Sequence, residues 1–282
     1  MSEPKITIGE AIRQAVRTLS QRSTTPRLDA EVLLAHTLEL GRASLLAHTD
    51  DYMAIDKQAQ FEAFISRRAV GEPVAYLTGH KEFYGLDLFV TPEVLIPRPE
   101  TEHAVDACLE LLPSGQASRL ADIGTGSGAI LVAVTVSRPH LTAYGTDISQ
   151  GAIAVAQRNC ELHKVSERVK LYVGNLLEPL EERVNMIVAN LPYVPPGEAA
   201  PDVAAWEPQM ALFGGGEDGT ALIREFLAMA PRYLLPGGSV IMEVAYSQGN
   251  ITADMAQVAF PGSAVEVRKD LAGLDRIVVL RT

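Results

Sequence analysis

The sequence predicts an α/β protein: a mostly parallel sheet with helices on both faces, preceded by a small all-helical domain and a β-hairpin linker. Three observations carry this expectation. The first seventy residues show only helical periodicity, short strand-like runs follow, and from Glu100 onward helix and strand alternate. A chain of 282 residues exceeds the usual size of one domain and is short for three. The expected division is a helical domain over residues 1–75, a hairpin linker over 76–96 and an α/β domain over 97–282.

Thr7-Ile8-Gly9-Glu10 matches a capping box, and Ile8, Ala11, Ile12, Ala15, Val16 and Leu19 then recur on one helical face. Thr25-Pro26 places a cap before a first-turn proline, Leu28 to Leu40 carries a second stripe, and Gly41 supplies a left-handed stop. Asp56 to Arg68 forms a further helix with Phe61, Phe64 and Ile65 inward. No catalytic cluster is evident in this bundle, so it reads as a packing or partner-docking module. Lys81 to Tyr84 and Leu86 to Val90, parted by Gly85, form the hairpin.

The alternating region predicts strands Arg119 to Ile123, Leu141 to Thr146, Val169 to Val173, Met186 to Ala189, Ser239 to Val244, Ala264 to Arg268 and Arg276 to Leu280. Helices are predicted over Ser127 to Ser137, Gln150 to Leu162, Thr220 to Leu235 and Ser247 to Phe260. The hydrophobic content of 47% belongs to a folded protein with a substantial core. Met1-Ser2-Glu3-Pro4-Lys5 lacks an apolar signal core and the longest apolar run, Ala129 to Val136, is too short to span a bilayer, so a soluble, cytoplasmic protein is expected. Cys108 and Cys160 lie on predicted helices without metal-ligand spacing and read as buried small apolar residues. The six histidines are scattered and read as structural or surface residues. A net charge of −11 argues against a surface built mainly to hold nucleic-acid phosphates, leaving room only for a local basic patch.

Chemistry concentrates at the strand ends. Asp122-Ile123-Gly124-Thr125-Gly126-Ser127-Gly128 lies where the first strand of the sheet turns into its helix, the place where open α/β sheets bind ligands. A bare tight turn is the alternative. A dinucleotide fingerprint places its third glycine three residues after the second; here it follows after two, in an acidic-x-Gly-x-Gly-x-Gly form. That form resembles the class I S-adenosylmethionine-dependent methyltransferases, whose Rossmann-like sheet holds the methionine end of the cofactor against this loop.

Asp147, after the second strand, can accept hydrogen bonds from two ribose hydroxyls, or it can cap the helix that follows. The third strand ends at Gly174-Asn175-Leu176, where this fold recognises adenine: Asn175 can offer its amide and Leu176 an apolar flank, although a polar residue there is often only a turn. Asn190-Leu191-Pro192-Tyr193 closes the fourth strand. Pro192 holds Leu191 extended, so the Asn190 side chain and the Leu191 carbonyl can aim two acceptors at one NH2 group, with the Tyr193 ring covering it. This resembles the Asn-Pro-Pro-Tyr signature of methyltransferases acting on adenine amino groups and glutamine amides. Leu191 departs from the proline usual in the glutamine branch, and Asn-Leu-Pro-Tyr also occurs in ribosomal-RNA adenine dimethyltransferases. The motif by itself leaves the substrate open.

Other segments decide. Gly71 to Gly79, Phe83-Tyr84-Gly85-Leu86 and Val94 to Glu102 are similar to the peptide chain release factor N5-glutamine methyltransferase family, and the match continues through Glu207-Pro208, Gly214-Gly215, Asp218-Gly219 and Asp270 to Gly273. The resemblance covers nearly the whole chain. It implies S-adenosyl-L-methionine as cofactor, residues 1–75 as a substrate-docking domain and 97–282 as the catalytic domain. It also implies that Pro97 to Glu102 walls the cofactor pocket with Phe83 nearby. The implied reaction methylates the glutamine N5 in the Gly-Gly-Gln motif of release factors, with Asn190 and Tyr193 at the catalytic centre and no metal. The cofactor contacts would be Gly124, Thr125, Gly126, Ser127, Gly128, Asp147, Asn175, Leu176 and Asn190, and the substrate contacts Asn190, Leu191, Pro192 and Tyr193. The alternatives are an adenine N6-methyltransferase acting on RNA or DNA, disfavoured by the acidic balance, and a non-catalytic nucleotide-binding module, which would need no nitrogen clamp.

Overall fold

The computed structural model describes residues 6–282; the amino-terminal stretch expected to lack a signal core, residues 1–5, lies outside the described residues. The chain divides between His80 and Lys81 into two compact units. The first contains helices α1 (Ile8–Leu19), α2 (Pro26–Leu38), α3 (Arg42–Ala47), α4 (Ile55–Ala69) and α5 (Val74–Thr78). The Thr7/Glu10 capping box is present, its two reciprocal hydrogen bonds fixing the start of α1. Leu19, Leu33, Leu34, Leu45 and Phe61 form the centre of this unit's core. Two acids on α2 are buried there with partners: Asp29 beside Arg68, at 2.7 Å, and Glu31 beside Arg27 and Arg42.

Gly41 is not the left-handed stop. Glu39 takes that conformation (φ 57°), its amide donating back to the end of α2, while Gly41 is extended and precedes α3. Thr25 makes no backbone cap; its hydroxyl goes to the Asp29 carboxylate at 3.0 Å.

The hairpin strands are β1 (His80–Phe83) and β2 (Leu86–Phe89). The second unit continues with α6 (Glu102–Leu111), β3 (Ser118–Ile123), α7 (Ala129–Ser137), β4 (Leu141–Asp147), α8 (Gln150–Leu162), β5 (Val169–Val173) and β6 (Val184–Ala189). It ends with α9 (Pro201–Trp206), α10 (Ala221–Met229), β7 (Leu234–Glu243), α11 (Gly249–Ala259), β8 (Ala264–Lys269) and β9 (Asp275–Arg281). Helix α10 stops well before Leu235, because Pro231 has no amide to continue the ladder; a single 3-10 turn follows and β7 begins at Leu234.

The seven strands run in the order β5-β4-β3-β6-β7-β9-β8, parallel except that β9 is antiparallel to both neighbours. Central strands alternate between two cores. Leu120, Met186, Val188 and Ile241 face α6, α7 and the hairpin's Phe83 and Leu88, whereas Ala121, Ile123, Ile187 and Val240 face α10 and α11. Burial on both faces explains why these strands read as continuous apolar runs. Helix α7 is likewise apolar all round and almost wholly buried; truncating Leu131 to alanine costs about 2–5 kcal/mol.

Register places Ile123 opposite both Thr146 and Ala189, and Ala189 opposite Met242. The carboxyl ends of β3, β4, β6 and β7 therefore share one edge. Since the chain passes from β3 to β4 on one side and returns through β6 on the other, a crevice opens above β3.

Candidate active site

That crevice is a cavity of about 650 Å³. Its floor is the turn from β3 to α7, in which Gly124, Gly126 and Gly128 have φ of 69°, 55° and 78°, values that side chains rarely tolerate. A Cβ on Gly124 would press on the Leu191 side chain at 3.2 Å, and one on Gly128 on Ala156 at the same distance. The glycines thus bring the floor against the loop after β6 and seat α7 on α8.

Asp147 holds this turn from β4. One carboxylate oxygen accepts from the Gly126 amide and the other from the Ser149 amide, both at 2.9 Å. Burial raises the Asp147 pKa, and the amides of Ser149, Gly126 and Ile148 oppose the rise. Asp122, beneath the turn, accepts from the Thr125 hydroxyl at 2.7 Å; burial foremost, with the Asp147 charge adding, pushes its carboxyl to about 7. Helix α8 is capped by Ser149 rather than Asp147.

Asn175 and Leu176 line the cavity beyond β5. The Asn175 amide nitrogen donates to Glu225 on α10 at 2.9 Å, and Leu176, at φ 45°, is fixed by a 2.7 Å hydrogen bond from the Thr146 hydroxyl to its carbonyl.

Asn190, Leu191 and Pro192 form the opposite wall. The Asn190 amide nitrogen donates to the Thr101 hydroxyl at 3.2 Å, which leaves its Oδ1 free to accept. Tyr193 differs from expectation. It does not line the cavity; its ring packs on the core between the sheet, α10 and α11, and its hydroxyl makes a long 3.4 Å hydrogen bond to the buried Glu243 carboxylate at the end of β7. Burial, then the Glu243 charge, raises the phenol's pKa.

Braces behind the loop fix its path. Gln248 donates to the carbonyls of Tyr193 and Asp218, at 3.0 and 2.8 Å. A Cβ on Gly219 would run into the Tyr193 carbonyl, and one on Gly214 into the carbonyls of Gly219 and Pro192. On the third side, Pro97, Arg98 and Thr101 complete the cavity, tied down by buried Glu207, which accepts from the Ile96 amide at 3.0 Å and pairs with Arg98.

Of the residues singled out from sequence, Gly124, Thr125, Gly126, Ser127, Asp147, Asn175, Leu176, Asn190, Leu191 and Pro192 line this one cavity; Gly128 and Tyr193 stand behind its surface. Phe83 does not itself line the cavity; it is buried in the core cluster that also holds Leu88, Cys108 and the lining residues Ala129 and Ile130.

Residues 10–79 match the PrmC N-terminal domain and residues 98–207 the methyltransferase small domain. A Coxiella burnetii relative named release factor glutamine methyltransferase is 40% identical over 276 residues, covering 96% of this chain and 99% of the relative. A Moorella thermoacetica relative of the same name is 42% identical, covering 96% and 97%. The chain belongs to the release factor glutamine methyltransferase family. It is thereby an S-adenosylmethionine-dependent methyltransferase. Solved structures support the fold: a methyltransferase from Pyrococcus furiosus superposes with a TM-score of 0.54 at 18% identity, covering 78% of this chain and 96% of that one. A Thermus thermophilus 16S rRNA N2 G1207 methyltransferase, solved with AdoMet and guanosine, superposes with a TM-score of 0.51 at 16% identity, covering 72% and 49%.

Sequence reasoning gave no role to Glu243, Gln248, Glu207 or Asn159 in this methyltransferase. Glu243 does carry a local signal, as the one charge in the apolar run Ser239 to Val244. Glu207 was visible only as part of a matching string, and Gln248 and Asn159 sit in ordinary helical segments.

Proposed function

We propose that this enzyme transfers the methyl group of S-adenosylmethionine to the side-chain amide nitrogen of the glutamine in the Gly-Gly-Gln motif of peptide chain release factors. The observation that carries this reading is the Asn190 side chain, anchored through its nitrogen to Thr101 and presenting an oxygen at the cavity wall. The residues suit the cofactor: a carboxylate with lone pairs to spare at Asp147, glycines that admit a ligand to the backbone, and apolar flanks at Ile130, Ile148 and Leu176. Asp147 would hold the ribose, Asn175 and Leu176 the adenine, and the turn from Gly124 to Gly128 the methionine end. When bound, S-adenosylmethionine supplies a methyl group activated on a sulfonium.

The protein's task is to make a poor nucleophile usable. An amide nitrogen has a delocalised lone pair, and the Asn190 Oδ1 and the Leu191 carbonyl, by accepting its two hydrogens, align it and encourage electron density on it. A strong base is unnecessary, since the alkylated nitrogen loses its proton readily to water or a carbonyl. Two glycines before the substrate glutamine let its backbone approach the narrow wall at Leu191 and Pro192. The helical residues 1–75 would supply remote contacts whose binding energy is used for alignment.

Mass spectrometry of a release factor treated with enzyme and cofactor should show one added methyl group on that glutamine and none after Gln→Ala there. Label on adenine in RNA or DNA, with the release factor unmodified, would replace this reading with the adenine one.

A further inference from the structure

The mechanism above makes no use of Glu243, yet this carboxyl stands beside its central residue. Ala189 pairs with Met242, so the next residues, Asn190 and Glu243, leave neighbouring parallel strands side by side. Glu243 is 3% exposed. Its Oε1 accepts from Tyr193, and its Oε2 is buried without a hydrogen-bond partner. The buried Thr101 hydroxyl accepts from Asn190 Nδ2, and it also draws the Glu243 pKa down.

We infer that Glu243 is a positioning residue whose charge sets the polarity of the clamp: as a carboxylate it takes the Thr101 proton in a hydrogen bond, so that Thr101 receives the Asn190 amino group and the Asn190 oxygen faces the acceptor nitrogen. This rests on the reading that Asn190 accepts from a substrate NH2 group. A hydroxyl has one proton to give. If Glu243 is protonated, it donates to the Thr101 oxygen, and the Thr101 proton turns to Asn190. The Asn190 amide then satisfies that proton with its oxygen and presents its own NH2 to the substrate NH2, two donors facing each other. A single proton on a group outside the cavity thereby reverses the acceptor at its wall.

The surroundings place this change near neutrality. Burial, then the Glu100 charge from the turn before α6, push the Glu243 carboxyl up, while Thr101, Arg276 on β9 and the Tyr193 hydroxyl pull it down, leaving it at about 7. Arg98 faces the same cluster through Tyr193. The carboxylate form prevails above that value and the clamp loses its acceptor polarity as pH falls through it.

The test follows the side-chain amide signals of Asn190 in the full-length, nitrogen-15-labelled enzyme, assigned by their loss in Asn190→Ala. In the unsubstituted enzyme they should shift with a midpoint near 7, and in Glu243→Gln, which mimics the protonated acid, they should not titrate. Tyr193→Phe, which removes a donor to Glu243, should move the midpoint upward and serves if the glutamine variant does not fold. With a release factor as substrate, Glu243→Gln should lower kcat by about tenfold or more and flatten the acid limb of its pH profile, leaving the cofactor Kd unchanged. Asn190 signals that do not respond to pH, or a Glu243→Gln enzyme with the original kcat and pH profile, would overturn the inference. Titrating signals in an enzyme that never methylates the release factor would support the polarity relay and reject the substrate assignment instead.

Discussion

Substituting Gly219 and Gly237 by alanine forms a matched pair that isolates what the loop after β6 requires. Both glycines are left-handed, with φ of 73° and 75°, so each alanine pays the same backbone strain, about 1–2 kcal/mol. Their surroundings differ. At Gly237, on the amino-terminal half of β7, a Cβ meets nothing within 4 Å. At Gly219 it collides with the Tyr193 carbonyl and approaches the Pro195 nitrogen at 3.0 Å, and neither is the end of a flexible side chain. Overpacking of this kind adds about 1–3 kcal/mol. Loss of the Gln248 hydrogen bond to the displaced Tyr193 carbonyl adds roughly 1 kcal/mol more. Gly237→Ala should therefore lose about 1–2 kcal/mol and Gly219→Ala about 3–6 kcal/mol, a gap on the order of 5–15 °C in Tm. Because the loop carries Asn190, a displacement near 1 Å should also cut turnover by roughly a hundredfold in Gly219→Ala alone. Differential scanning calorimetry and a labelled-methyl transfer assay at saturating cofactor read the two effects. Equal Tm and equal turnover for the pair would refute the claim that Gly219 braces the clamp.

Three further expectations follow from the same geometry. Asp147→Ala should weaken cofactor binding by roughly 1–3 kcal/mol, the range for hydrogen bonds to a charged group, and calorimetry finding unchanged affinity in a folded variant would exclude the ribose contact. Asn190→Ala should cut kcat far more than stability, so near-normal methyl transfer would remove the clamp. Asp122 is pushed up to about 7 from an ordinary value of 3.8, so the folded state binds its proton more tightly than the unfolded chain does. This contribution is fully present below about pH 4 and fades as pH rises to about 7, at a cost of roughly 3–4 kcal/mol. Asp122→Asn should shrink the stability lost between about pH 4 and about pH 8 by that order in urea titrations, and an unchanged loss would show that Asp122 does not carry it.

Legibility in the sequence followed locality. Helix α8 and strand β5 have the predicted bounds, because Ser149 caps one and the other is a short apolar-rich run between turns. The glycine turn, Asp147 and the Asn190 loop were readable because each chemical requirement is met within a few consecutive residues. Misreadings arose where the deciding neighbour was distant or the local rule had an exception. Glu39 took a left-handed conformation that the rules assign to Gly41, and Pro231 broke a helix whose apolar stripe ran on. Tyr193 looked like a cover for the substrate group because nothing nearby in sequence shows that Glu243, fifty residues on, holds its hydroxyl. The short helices α3, α5 and α9 have too few turns to display a periodic stripe.

Asn159 gives the molecule a shared opening unit. From the buried face of α8 its side chain bonds the amide and the carbonyl of Phe89, at 2.7 and 2.9 Å, and the carbonyl of Ser127, at 2.8 Å. A fluctuation that frees the end of the hairpin must strip the same side chain that steadies the glycine turn, leaving buried backbone groups unpaired at about 1–3 kcal/mol each. The two segments, 38 positions apart in the chain, should therefore exchange their amide hydrogens together, which hydrogen-exchange measurements on the enzyme would show. A ligand that quiets the turn should then slow exchange at Phe89, a residue outside the cavity, so that its amide would report occupancy from a distance.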